Sequence, residues 1–161
     1  MKPRAQPKHI EIVRAPPPPA RESDYYTWCF AQAALLDAGK FGEIEPLDIA
    51  DEISDIAWAR YEELKEALTS LLTLALLFDH GRRSGRVLDG FDSARHDIRD
   101  MIAAAPSLGA RAAEATRESF KFAKYRAMDE LDVDEDQLPA SCPWAFDEIM
   151  ARDFFASAGT A

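Results

Sequence analysis

The chain is predicted to be all-α: an up-and-down helical bundle with one long central helix and a short C-terminal helix packed at the end. Three observations predict it. Apolar side chains recur at three- and four-residue steps in four successive segments, and no period-two alternation persists anywhere. Only seven glycines stand among 161 residues, against abundant Ala, Leu, Glu and Arg, which are strong helix formers. The 47% apolar and 10% aromatic fractions belong to a globular chain rather than a disordered one.

Each element follows in order. Residues 1–22 are expected to be a disordered, basic, proline-rich tail. Its Pro16 to Pro19 stretch, between Arg14 and Arg21, favours extended polyproline II, which serves as a stiff spacer or as a ligand for an aromatic groove. The helical bundle domain is expected over residues 23–156, and 157–161 as a disordered C-terminus. The first helix should open at Ser23 or Asp24, both good N-caps, and end before Gly39. Tyr25, Trp28, Cys29, Ala31, Leu35 and Leu36 form its apolar stripe, with Gln32 the polar intruder.

Lys40 to Pro46 connects to the longest helix, expected from Leu47 to Phe78. Its stripe runs through Ala50, Ile53, Ala57, Tyr61, Leu64 and onward, making a rod about 48 Å long unless it bends near Trp58–Arg60. Leu71 to Leu77 is apolar nearly all round, which places it at the centre of the bundle. Asp79 to Asp89 reads as a polar turn. A third helix is expected from Asp89 to Ala105, stopped by Pro106. A fourth, capped by Ser107, should reach Leu131 with small inward residues Ala112, Thr116, Ala123 and Ala127, which suits close packing. An acidic loop, Asp132 to Asp136, precedes a short helix expected to start at Pro143 with Ser141 or Cys142 as cap.

Charge narrows the function. The net charge is −10, unevenly spread. Residues 1–21 hold five basic groups and one acid, so the remaining 140 residues hold 14 basic and 28 acidic groups. Such a body repels phosphate, so nucleic acid is not an expected partner. No apolar run approaches the roughly 20 residues needed to span a bilayer, and no apolar leader is visible, so the protein is expected in the cytoplasm and away from membranes. Cys29 and Cys142 stand far apart, outside any ligand spacing, and read as ordinary thiols.

The order of motifs resembles the bacterial family catalogued as domain of unknown function 29. The resemblance is carried by Asp24-Tyr25-Tyr26-Thr27-Trp28, Gln32 to Leu36, Gly39-Lys40-Phe41, Ile49 to Asp55 with the leucine-rich helix behind it, and Pro106-Ser107-Leu108. It continues through Leu138-Pro139, Cys142-Pro143-Trp144, Asp147 to Met150 and Asp153-Phe154-Phe155. It covers roughly residues 22–156 and implies an all-helical fold and a bacterial source. It implies no activity; Trp28, Cys142, Pro143 and Trp144 are expected to be structural positions. The chain departs from the family around Phe78 to Phe91, where two expected tryptophans are absent, and at Leu74, where the family commonly has histidine.

The candidate chemistries are then few. Helical pyrophosphatases hold Mg²⁺ with carboxylates at i, i+3, because that spacing puts both on one helix face. Glu63 and Glu66 with Asp97 and Asp100 could do so as a Mg²⁺-dependent hydrolase of nucleotides or phosphate esters, provided all four converge; solvated charge faces would produce the same residues. Asp132-x-Asp134-x-Asp136 lacks the glycine and glutamate of a calcium loop, and His9, His80 and His96 fit no di-iron spacing. No cofactor is expected. An acidic antidote that caps a basic protein is permitted by the charge. The leading expectation is a non-catalytic module that self-associates or binds a protein partner through the outer face of the long helix, with Trp58 and Arg60 as its interaction residues. The aromatics Trp144, Phe146, Phe154 and Phe155 are expected to plug one end of the bundle.

Overall fold

A computed structural model of the protein describes residues 19–153. The polyproline stretch up to Pro18, the aromatics Phe154 and Phe155, and the expected C-terminal segment 157–161 lie outside the described residues. Among those described, the chain forms helices and no strand. They are α1 (Tyr25–Asp37), α2 (Pro46–Asp79), α3 (Gly85–Ala104), α4 (Pro106–Gly109), α5 (Ala112–Leu131) and α6 (Phe146–Ala151), with a 3₁₀ turn at Glu135–Gln137. Two compact units divide within α2, the first ending at Ile53 and the second starting at Ser54.

In the first unit, Asp24 caps α1 by accepting from the Thr27 N–H at 3.0 Å, and the Thr27 side chain together with that N–H holds its carboxyl below the usual range. Gly39, at φ +68°, ends the helix as sequence predicts: its N–H reaches Leu36 and that of Lys40 reaches Leu35. The stripe is narrower than expected. Trp28 and Gln32 are buried, whereas Tyr25 and Leu36 are exposed, because so small a unit has little to lay over a wide face. Gln32 is not an intruder. Its carbonyl accepts the Glu45 N–H at 2.9 Å, while its amide and the Trp28 indole donate to the Glu45 carboxylate at 3.0 and 3.1 Å. Arg21, expected within the tail, is bound to Asp48 and Glu52 on the first turns of α2.

The second unit is built round the remainder of α2. Leu64, Leu68, Leu71, Leu72 and Leu76 are buried there with Phe91 and Ile98 of α3, Ala115, Ala123 and Ala127 of α5, and Ile149 of α6. The small stripe of α5 brings it close enough for the Ser119 hydroxyl to donate to the Lys65 carbonyl at 2.9 Å. This is the helical bundle that the periodicity predicts, with α2 as its long central helix. The short α6 sits at its end. Buried Arg95 of α3 donates to the carbonyls of Ile149, at 3.1 and 2.7 Å, and of Arg152, at 2.6 Å, while Arg152 forks onto Asp79 at the last position of α2.

Several expectations are corrected. The α2 stripe is not covered along its whole length: residues 54–60 are all exposed, Ala57 included, and in the first unit Ala50 and Ile53 are exposed too. Periodicity marks which face of a helix is apolar, not whether a neighbour reaches it, and burial begins only at Tyr61. The turn after α2 is shorter than expected. Gly81, at φ +84°, lets the Arg82 N–H close back on the Leu77 carbonyl, and the Ser84 hydroxyl accepts from Val87, so α3 starts at Gly85.

Ser107 does not cap a long helix. Pro106 starts a separate turn, α4, capped by Ala105 without a side-chain bond, and α5 begins only after Arg111. α6 starts at Phe146 instead of Pro143, because the Glu148 carboxylate turns back to accept the Ala145 N–H at 2.8 Å. Among the described residues every buried side-chain nitrogen and oxygen has a partner, and no helix is long and apolar enough to cross a membrane.

Candidate functional site

Trp58 lies on the exposed first turns of α2 in the second unit and is 55% exposed. It is nevertheless held in place. Its ring meets that of Tyr61 edge-on, centroids 6.0 Å apart, and the Arg111 guanidinium stands 5.2 Å from its centre and 3.8 Å from that of Tyr61. Arg111 is fixed in turn by Glu114 at 3.0 Å, a bond that raises its pKa. Tyr61 is buried and donates to Glu118 at 3.4 Å; burial, with Glu118 beside it, pushes its phenol up. A short local order follows from this. The α4–α5 break puts Arg111 at the N-cap of α5, from where its side chain lies across both rings.

Arg60 takes no part in this cluster. Two residues along a helix turn the side chain about 200° round the axis, and Arg60 pairs with Glu63 at 2.7 Å on another face. The residue that sequence reasoning missed is therefore Arg111. A separation of 53 positions from Trp58 carries no periodic signal, and only the packing of α5 against α2 reveals the pair.

The carboxylates expected to hold Mg²⁺ come together in part. Glu63, Glu66 and Asp97 line one open groove between α2 and α3, with Glu62 beside them. Asp100 does not line it; it faces His96 at 3.4 Å. The glutamates are already engaged: Glu62 by Lys65 at 2.9 Å, Glu63 by Arg60, and Glu66 by both Arg126 nitrogens at 2.8 and 2.9 Å. Among the described residues no three His, Cys, Asp or Glu side chains stand close enough to share a metal ion.

The positions marked as structural serve the two units separately. Trp28 anchors α1 to Glu45, as above. Cys142 donates its thiol to the Trp144 carbonyl at 3.3 Å, and burial pushes that thiol up in pKa. Trp144 packs against the core, with the Arg152 guanidinium 5.6 Å above its ring, while Pro143 is exposed. Both cysteines are free thiols. In the first unit a second charged cluster joins Arg21, Tyr25, Asp48 and Glu52: the Tyr25 hydroxyl donates to Glu52 at 2.5 Å, lowering the Glu52 pKa and raising its own.

A family model described as Domain of unknown function DUF29 matches residues 21–155. No curated protein and no solved structure matches the chain.

Proposed function

We propose a function from one premise: the chain belongs to the family described as Domain of unknown function DUF29, whose description names no activity. The protein acts as a non-catalytic interaction module that pairs with a second copy of itself through the face around Trp58. The observation that carries this is a large aromatic side chain left 55% exposed yet fixed by two neighbours. Exposed apolar area that is already ordered loses little entropy on binding, and tryptophan and arginine are the residues most often dominant at interfaces.

A second copy is the favoured occupant because the patch is locally neutral within an acidic body. Arg111, the cation against Trp58, is answered by Glu114. A ring standing beside a guanidinium is also self-complementary, so across a two-fold axis each Trp58 can meet the partner copy's cation. The engagement of Glu62, Glu63 and Glu66 by Lys and Arg supports a structural rather than catalytic use of those carboxylates. Free, non-ligating thiols support a cytoplasmic setting.

Light scattering and sedimentation over a wide concentration range provide the test. The wild-type chain should show a concentration-dependent dimer. Trp58→Ala should weaken it by about 2 kcal/mol, roughly thirtyfold in dissociation constant, with helicity unchanged. A strict monomer across the whole range overturns the reading.

A further inference from the structure

We infer that the second unit carries a pocket for an amphipathic organic anion, with Arg82 and Arg86 reading the charged end and Leu74, Leu77 and Val87 holding the apolar body. The cavity measures about 620 Å³ and is walled by α2, α3 and α5. That size falls within the range of about 300–1,000 Å³ usual for small-ligand sites. Its position differs from the Trp58 face, and the inference does not depend on self-association.

The charges are the first argument. The chain holds 29 acidic against 19 basic groups, so arginines gathered in one place run against its average charge. Four of the ten arginines described in this unit, Arg60, Arg111, Arg126 and Arg152, sit in ion pairs with carboxylates. Arg82 and Arg86, both at the mouth of the cavity, have no carboxylate within 4.0 Å among the described residues. Arg126 also lines it, oriented by its two bonds to Glu66. Glu130 is the one carboxylate on the wall, so positive charge is in excess there despite the acidic body.

Local structure puts those charges where they are. The left-handed turn at Gly81 delivers Arg82 directly after α2, and the Ser84 cap starts α3 so that Arg86 falls in its first turn. The apolar floor is the second argument. Leu77 and Val87 are buried and Leu74 is half-buried against the core, so a ligand body resting on them leaves water. Gly90 lines this floor beside Leu74: a Cβ there would lie 3.0 Å from the Leu74 Cδ1, so that side chain would have to shift. A guanidinium fork pairs bidentately with carboxylate and with phosphate, and both headgroups share the oxyanion edge these arginines recognise.

The experiment is titration calorimetry on the full chain with four probes: phenyl phosphate, benzoate, inorganic phosphate and benzyl alcohol. At least one aromatic anion should bind one-to-one and about tenfold or more tighter than inorganic phosphate or the uncharged alcohol. Tighter phenyl phosphate assigns a phosphate ester, tighter benzoate a carboxylate. The double variant Arg82→Ala/Arg86→Ala alters exposed side chains only, and should lose roughly tenfold in affinity with its circular dichroism intact. Methyl resonances of Leu74, Leu77 and Val87 should shift on adding the tighter anion to the wild-type chain. Equal binding by the double variant, equal affinity for inorganic phosphate or the alcohol, unmoved floor methyls, or no binding of either aromatic anion at millimolar concentration each overturn the inference.

Discussion

Glu52 receives the Tyr25 hydroxyl and the Arg21 guanidinium, and the first of these does most to lower its pKa. A carboxylate whose folded pKa is depressed contributes stability that is present above its unfolded value, about 4.3, and lost as pH falls through the folded one. Glu52→Gln should therefore be less stable than wild type at pH 7. The gap should close progressively below about pH 4.5, where the wild-type carboxylate also gains its proton. Melting temperatures by circular dichroism from pH 7 to 3 would check this, and parallel acid profiles would rule it out. None of this cluster is visible as a motif, since Arg21 and Glu52 lie 31 positions apart. Gln32 shows the same limit. Its spacing marks it as a flaw in an apolar stripe, whereas its amide turns out to hold the connector at Glu45.

The helices themselves were more legible than their ends. The α1 cap at Asp24, its stop at Gly39 and the leucine-rich core of α2 follow from local rules: a short acceptor at the N-cap, a residue free to take positive φ, and an all-round apolar segment. The starts of α3, α5 and α6 differ from those expected at Asp89, Ser107 and Pro143: α3 opens at the Ser84 cap, α5 after Arg111, and α6 where the Glu148 carboxylate accepts the Ala145 N–H. α6 is the clearest case. It has only six residues and is too short to persist alone. Arg95, buried beneath it, supplies the N–H groups that its terminal carbonyls need. Arg95→Met should cost about 2 kcal/mol by leaving those carbonyls unpaired. Hydrogen exchange should show faster amides in α6 while α2 stays protected. Uniform acceleration across all helices would instead mean that Arg95 stabilises the unit as a whole.

For the molecule as a whole, a net charge of −10 sets the terms of any encounter between copies. Two such chains repel at long range, while the Trp58 face is a short-range, locally neutral contact. Screening falls from a Debye length of about 30 Å at 0.01 M to about 8 Å at 0.15 M, so added salt should weaken the repulsion and leave the contact. Dimerisation measured by sedimentation should accordingly strengthen as sodium chloride rises over that range. Weakening with salt would point to an interface built on ion pairs instead of the tryptophan. Salt should act oppositely on the arginine-lined cavity, where it screens attraction for an anion. The two surfaces are thereby separable in one set of solutions.

The residue pattern by itself determined the helical class, the central place of α2 and the family, because burial of an apolar stripe at the helical period depends on spacing alone. Tertiary structure decided which part of that stripe is covered, with Ala57 and Trp58 left in water and Tyr61 enclosed. It also decided which charges meet. Glu66 is taken by Arg126 and Trp58 is flanked by Arg111, while Arg82 and Arg86 face a cavity. Those outcomes turn on distances of a few ångströms between side chains on different segments of the chain, and side-chain periodicity carries no record of them.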